Sequence, residues 1–360
     1  MLWATIILIL PYILLTLKIF FDLKRIRIFR SELAPSVKVS VIVPCKNEEE
    51  KLPQLLECLG RQDYSPENLE IIVVDDNSVD KTPELAASSK IHFTVRLLRN
   101  PGSGKKEAIK CGVEAASGTL IITTDADCTM GSSWVRTIAG FHEQTKASLV
   151  LCPVMLAECK GLFGIFQELE FMSLQGITAG TASSGRGTMC NGAGLAFTRE
   201  AYLRNLSRLH FEHLSGDDVF LLHSVKKEKG SVIKWLEASE ATVTASSVSG
   251  IKAYLNQRNR WISKWKLYDD PYTIILAASA LIAVAAQLLM TVTAFIRPSN
   301  ILPALLLFSI KSIPDYLILS NRAGCYGKKQ LMRWFFPSQI VYPFYVAAIL
   351  FFPAKASWKG

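Results

Sequence analysis

The hydrophobic positions of the chain change character twice. Before residue 22 and after residue 270 they form long, nearly uncharged runs; between those limits they form short runs broken by charged and turn-forming residues. Leu2–Phe21 and Tyr272–Ile296 are almost wholly apolar and reach the about 20 residues that a membrane-crossing helix needs. Ile301–Leu319 is interrupted by Lys311, Pro314 and Asp315, so it reads as a tilted, kinked or re-entrant segment, with Lys311 and Asp315 four apart on one helical face and able to pair. Trp334–Phe352 is again apolar with aromatic flanks.

The middle of the chain alternates strand-like and helix-like patterns. Val37–Pro44 (VKVSVIVP) predicts a strand and Asn47–Leu59 a helix with acidic residues in its first turn. Leu69–Val74 predicts a second strand, ending on Asp75-Asp76-Asn77-Ser78 and followed by the helix start Asp80-Lys81-Thr82-Pro83-Glu84. Phe93–Leu98 is a third strand, Glu107–Ala116 a helix, and Leu120–Thr124 a buried strand that stops on Asp125 and Asp127. Such alternation implies an α/β fold with a mostly parallel sheet and helices on both faces, and ligands bind such sheets beyond the carboxyl ends of the strands. Asp75, Asp76, Asp125 and Asp127 all lie there. If the alternation of strand side chains continues through Asp125 and Asp127, both carboxylates converge on one point, where a hard divalent ion such as Mg2+ or Mn2+ would relieve their repulsion.

The later segments are less diagnostic. Lys160–Gln175 has bulky apolar residues at helical spacing (Leu162, Phe163, Phe166, Leu169, Phe171, Leu174) and reads as a core-facing helix, with a membrane-interface helix as the alternative. Small residues dominate Thr178–Gly194, as in a mobile loop or a close approach to a ligand. Asp217 and Asp218 open a helix, where either caps it or one serves as a base. Gln257, Arg260 and Trp261 share a helical face, while Arg258, Lys264 and Lys266 read as basic residues snorkelling at a membrane surface.

Composition agrees with this division. Half of the 360 residues are hydrophobic and mean hydropathy is +0.25, high for a wholly soluble protein. Net charge is +9, and many cations flank the apolar runs: Lys18, Lys24, Arg25, Arg27 and Arg30 on one side, Lys252, Arg258, Arg260, Lys264 and Lys266 on the other. That placement points to a membrane and not to nucleic acid. Three blocks follow: an uncleaved N-terminal anchor with its basic flank at 1–30, a cytosolic domain at 37–268, and C-terminal membrane helices at 271–353. Positive charge at 24–30 and at 321–333 places both stretches in the cytoplasm, so four crossings leave both termini outside, against only the short tail with Lys355 and Lys359. None of the eight cysteines makes a C-x-x-C pair, as expected of reduced thiols in a cytosolic domain. The Asn100–Lys106 loop fails both phosphate-binding fingerprints, since Arg99, Lys106 and Glu107 stand where Gly, Ser/Thr and Gly are required; it remains either a flexible glycine loop offering cations to a diphosphate or an exposed basic turn.

In order, VSVIVPCKNEE (Val39–Glu49), VVDDNSVDKT (Val73–Thr82), GKKEAIKCG (Gly104–Gly112), DAD (125–127), CNGAGLAF (Cys190–Phe197), GDD (216–218) and QRNRW (257–261) make the chain resemble the membrane-bound family 2 glycosyltransferases of the GT-A fold. Similar membrane members are chitin, hyaluronan and poly-N-acetylglucosamine synthases and ceramide glucosyltransferases. The resemblance implies a nucleotide-sugar-binding, Rossmann-like domain and assigns roles by position. Asp76 would hold the nucleotide base, usually uracil, with Pro44, Asn47, Glu48, Lys105 and Asp125 completing the donor nucleotide site. Asp127, with Asp125, would hold Mg2+ or Mn2+, and Asp218 would be the catalytic base. Gln257, Arg260, Trp261, Asn191, Gly192 and Asp217 fall to the diphosphate and the acceptor. Lys110 and Asp217 depart from the commoner Asn and Glu of relatives.

The expected reaction is inverting transfer from a UDP-sugar to a lipid or lipid-linked acceptor at the cytosolic face of a bacterial inner or plasma membrane. A processive β-polysaccharide synthase extending a glycan is the alternative, and a catalytically silent scaffold or transport protein a remote one. The few spans leave little room for a channel, which favours single transfer.

Overall fold

A computed structural model describes residues 2–31, 34–213 and 215–351, so Phe352, Lys355 and Lys359 lie outside the described residues. The strands are β1 (Val39–Cys45), β2 (Leu69–Asp75), β3 (Thr94–Arg99), β4 (Leu120–Thr123), β5 (Cys128–Met130), β6 (Leu149–Leu151), β7 (Val154–Leu156), β8 (Leu195–Thr198), β9 (Ile233–Trp235) and β10 (Val243–Ala245). The helices are α1 (Leu2–Lys24), α2 (Leu52–Gly60), α3 (Thr82–Ala87), α4 (Lys105–Ala115), α5 (Trp134–Thr145), α6 (Gly161–Ser183), α7 (Arg199–Arg204), α8 (Asp217–Lys226), α9 (Ile251–Ile262), α10 (Pro271–Ile296), α11 (Ile301–Cys325) and α12 (Phe335–Phe351).

The chain forms two compact units that do not follow the three sequence blocks. Among the described residues, one takes Arg27–Ala157 and Gly185–Ser247; the other takes Leu2–Ile26, Glu158–Ser184 and Val248–Phe351. The continuous 37–268 block is therefore interrupted, because α6 and α9 group with the apolar helices.

The first unit is built on a seven-stranded mixed sheet of order β3-β2-β1-β4-β8-β6-β9. β3, β2, β1 and β4 run parallel, whereas β8 is antiparallel to β4 and β6. β1 (VSVIVPC) is buried along its whole length, as a central strand covered on both faces must be. The register pairs Val39 with both Leu69 and Leu120, which brings the carboxyl ends of β2, β1 and β4 to one edge. A small second sheet, β5-β10-β7, follows the turn after β4.

Two sequence expectations change here. The helix expected from Asn47 begins only at Leu52, because Asn47–Lys51 is latched to the loop after β2. Asn47 N donates to Ser78 Oγ at 2.9 Å, Val79 N to Asn47 Oδ1 at 3.0 Å, Glu48 N to Thr82 Oγ1 at 2.8 Å and Lys81 N to Glu49 Oε2 at 3.0 Å. Asn47 adopts φ 52°, a left-handed turn conformation that asparagine tolerates better than most residues. Likewise β4 ends at Thr123, and Asp125–Asp127 form a turn in which Cys128 N donates to Asp125 O at 3.1 Å. Strand alternation therefore does not govern the two carboxylates.

Among the described residues of the second unit, four helices are long and apolar enough to cross a membrane: Thr5–Lys24, Pro271–Ile296, Pro298–Cys325 and Lys329–Phe351. The interrupted segment is a continuous helix, α11, with Pro314 inside it and Lys311 Nζ 2.7 Å from Asp315 Oδ2. The apolar spacing over Lys160–Gln175 is helical, but its partners are α1 and α11, and Leu169 and Met172 pack with Leu319, Ala323 and Phe335. The helix also continues to Ser183, so Thr178–Ser183 is not a loop. Its small residues serve close packing: a Cβ on Gly176 would lie 2.5 Å from Ile318 Cγ2, and one on Gly180 would lie 2.5 Å from Ile19 Cγ2 and 2.8 Å from Ile19 O. Small residues four apart let helix backbones approach in this way.

Candidate active site

Asp76 follows the last residue of β2, and its backbone N–H donates to Cys45 O at 2.8 Å. Its side chain is 1% exposed. Oδ1 accepts from Gly104 N at 2.9 Å and from the amide of Asn100, which fixes the carboxylate against the loop before α4. Among the described residues, Oδ2 is buried without a hydrogen-bond partner, with the Lys46 ammonium 3.7 Å away. A buried acceptor in that state is costly unless a donor arrives. Pro44 is the buried penultimate residue of β1, and Asn47 and Glu48 lie in the latch described above.

Asp125 and Asp127 are turned to different lysines. Asp125 Oδ1 lies 2.5 Å from Lys105 Nζ, and Asp127 Oδ2 lies 3.7 Å from Lys51 Nζ. Lys105 is the first residue of α4, and Gly104 before it has φ 94°. Burial acts to depress the Lys105 ammonium, but Asp125, Asp217 and Asp218 together raise it, so it stays charged. Cys128, buried beside Asp125 and Asp127, is pushed well above the ordinary thiol range by burial and by those two charges, and so stays neutral.

The turn after α6 closes the arrangement. Thr123 Oγ1 at the end of β4 donates to Gly192 O at 2.7 Å, and Asn191 Oδ1 caps the turn by accepting from Ala193 N at 3.0 Å. Gly192 N donates to Asp218 Oδ2 at 3.1 Å, while Asp218 Oδ1 accepts from Val219 N at 2.7 Å. Space at 192 is tight: a Cβ there would stand 3.3 Å from Asp217 Oδ2 and 3.4 Å from Lys105 Nζ. Four segments distant in sequence thus bring Asp125, Lys105, Gly192, Asp217 and Asp218 together.

A divalent ion fits these residues. Among the described residues no three His, Cys, Asp or Glu side chains gather into a closed cage. Asp125 and Asp127 instead offer two carboxylates with side chains 35% and 21% exposed. Mg2+ and Mn2+ suit this donor set, because they are commonly held by one or two carboxylates with phosphate oxygens and water completing the shell.

Gln257, Arg260 and Trp261 belong to the other unit, on α9. Its central charge is Arg258, which is not a snorkelling surface cation. Arg258 is 4% exposed, pairs with Glu170 at 2.6 Å, and stacks on Trp261 with 4.0 Å from its guanidinium carbon to the ring centroid and 4.5 Å to that of Tyr254. Gln257 Oε1 accepts from Arg258, and Tyr345 OH donates to Glu170 at 3.1 Å. The paired carboxylate and the aromatic faces replace the water that a surface cation would have kept. Sequence reading missed Glu170, Lys46, Lys51 and Asn100; two carboxylates inside the apolar run Lys160–Gln175, Glu168 and Glu170, were the available signal for the first.

A mixed sheet with β3-β2-β1-β4 parallel, and acidic loops at its carboxyl edge, is the GT-A architecture. Residues 40–207 match the model of Glycosyl transferase family 2. The chain is 27% identical over 304 residues to the beta-monoglucosyldiacylglycerol synthase of Trichormus variabilis, an alignment covering 81% of this chain and 63% of that protein. It is 43% identical over 94 residues to the undecaprenyl-phosphate 4-deoxy-4-formamido-L-arabinose transferase of Photorhabdus laumondii, covering 25% of this chain and 29% of that protein. The chain therefore spans less than two thirds of the length of these curated relatives. Among solved structures, the mannosyltransferase of Pyrobaculum calidifontis in complex with GDP-Man and Mn2+ shares the fold, with a TM-score of 0.57, 20% identity, and coverage of 98% of this chain and 99% of that one.

Proposed function

We propose that the protein is a metal-dependent, inverting glycosyltransferase that moves one sugar from a UDP-sugar to a lipid or lipid-linked hydroxyl at the cytosolic face of a membrane. The observation that carries this reading is the convergence of Asp125, Lys105, Gly192 and Asp218 from separate segments at the carboxyl edge of the sheet, beside a buried and unsatisfied Asp76 Oδ2. The free Oδ2 suits an N–H of a nucleotide base. Two relatives whose names specify undecaprenyl-phosphate and diacylglycerol support a lipid acceptor. The four long apolar helices support a membrane location.

In the reaction the acceptor oxygen attacks the anomeric carbon, its proton passes to Asp218, and the bond to the nucleoside diphosphate breaks on the opposite face, inverting the centre. Asp218 is prepared for this by two backbone donors, Gly192 N and Val219 N, which hold its carboxylate in place and leave lone pairs for the proton. Lys105 supplies positive charge beside the site as the diphosphate departs. Asp127 and Asp125 would hold a divalent metal, which would supply charge neutralisation for that leaving group. Gln257, Arg260 and Trp261 keep the diphosphate and acceptor roles that their motif assigns.

The test offers detergent-solubilised protein, with Mn2+ and membrane lipid extract, a panel of UDP- and GDP-sugars, following nucleotide release and product mass. The expected result is release from one UDP-sugar and a lipid heavier by one sugar residue. Asp218→Asn should bind UDP as the wild type does and lose transfer by about 10²–10⁴-fold. A ladder of products would replace single transfer by processive synthesis, and folded protein that neither binds UDP nor releases nucleotide from any donor would end the reading.

A further inference from the structure

Three acidic residues of the candidate site, Asp76, Asp125 and Asp127, each lie near a lysine. Lys46 Nζ is 3.7 Å from Asp76 Oδ2, Lys51 Nζ is 3.7 Å from Asp127 Oδ2, and Lys105 Nζ is 2.5 Å from Asp125 Oδ1. Lys105 is the most enclosed of the three: its side chain is 17% exposed, against 26% for Lys46 and 42% for Lys51. It also feels Asp217 and Asp218, and its ammonium would come within 3.4 Å of a Cβ on Gly192. The ammonium thus lies among Asp125, Asp217 and Asp218.

A metal ion binding at Asp125 Oδ1 takes a position beside this cation. Like charges at that separation repel strongly in a partly desolvated site, and Asp125 must give up its present partner to accept the ion. A diphosphate approaching alone meets the opposite difficulty, because the lysines that would bind it are held by carboxylates. The obstacles cancel when both arrive together: the metal takes the carboxylates, and the released lysines take the phosphate oxygens. Lys105 is well placed for that release, since it opens α4, where backbone N–H groups also favour an anion.

We propose that Lys105 is an exchangeable internal counter-ion that makes metal binding and nucleotide binding conditional on each other. In the free protein it occupies the charge position of the metal; in the donor complex it becomes a ligand of the diphosphate. Lys51 performs the same exchange at Asp127 from a more exposed position. This inference rests on the nucleotide-sugar reading above and adds to it an order: the donor enters with its metal and not after it.

The experiment measures Mn2+ binding from the free-ion electron paramagnetic resonance signal and UDP binding by calorimetry, on the full chain in detergent. For the wild type, each ligand should bind at least tenfold tighter in the presence of the other. In Lys105→Met, Mn2+ without nucleotide should bind at least tenfold tighter than in the wild type, and UDP should bind weaker, so that the mutual dependence collapses. Lys105→Gln, a polar neutral replacement, is measured alongside against loss of folding and should behave as Lys105→Met does. Lys105→Arg retains the cation and should retain the weak Mn2+ binding of the wild type. Wild-type protein that binds UDP with Mn2+, while neither neutral variant gains Mn2+ affinity, overturns the counter-ion role and leaves the transferase reading standing. Failure of UDP with Mn2+ to bind the wild type would overturn both.

Discussion

Asp76 carries a division of labour between its two oxygens. Oδ1 is consumed by Gly104 N and Asn100, which hold the glycine loop against the sheet, while Oδ2 is left for a ligand. Replacing Asp76 by Asn keeps an acceptor at Oδ1 and puts an N–H where the free acceptor stood. Two donors then face each other, and a polar group left unmatched in a buried site costs about 1–3 kcal/mol. Asp76→Asn should therefore weaken UDP binding by about ten- to a hundredfold, while Mn2+ binding without nucleotide stays at the wild-type value; calorimetry reads both, and unchanged UDP affinity would remove Asp76 from the base site. At this scale the sequence marks the acids as candidates, because carboxylates cluster after its buried strands. It did not show their partners. Lys46 and Lys51 lie in the same loop as Asn47 and Glu48, but which lysine meets which aspartate depends on how that loop closes onto residues 77–82.

At the scale of the element, β1, β2 and β4 were legible because a strand buried on both faces is an uninterrupted β-branched run, and little else in a chain looks like VSVIV or LEIIVV. α6 was half legible. Its helical spacing up to Gln175 is plain, but the small residues that dominate Thr178–Gly194 read as a mobile loop or a close approach to a ligand, and glycine weakens a helix interior. Tertiary packing reverses that cost: the missing Cβ atoms let α6 seat against α1 and α11, and the van der Waals attraction between the closely packed helices outweighs the lower helix propensity. Gly180→Val should accordingly destabilise the protein by about 1–3 kcal/mol through overpacking against Ile19. Gly131→Ala, where nothing lies within 4 Å, is the matched control. Thermal unfolding in detergent should show a lower midpoint for the first and no change for the second; equal midpoints would mean that α6 and α1 do not pack this closely.

For the molecule as a whole, the proposed membrane arrangement makes a prediction independent of catalysis. Basic residues at 24–30 and 322–333 and the transferase domain are assigned to the cytoplasm, which puts the link between α10 and α11 outside. Cys325, exposed at the end of α11, should then be closed to a membrane-impermeant maleimide in intact cells and open after permeabilisation. A cysteine introduced at Asn300 should be labelled in intact cells. Labelling of Asn300→Cys only after permeabilisation would invert the assignment and with it the cytosolic donor site.

The sequence by itself determined the α/β class and the apolar helices and nominated the candidate site side chains, because hydrophobic period, segment length and side-chain chemistry are local properties. Only the tertiary structure decided where β4 ends, that Asp125 and Asp127 face separate lysines, that Arg258 is buried on Glu170, and that α6 belongs with the apolar helices. Each of these depends on interactions between residues tens to well over a hundred positions apart, whose energies exceed local preference and leave no periodic trace along the chain.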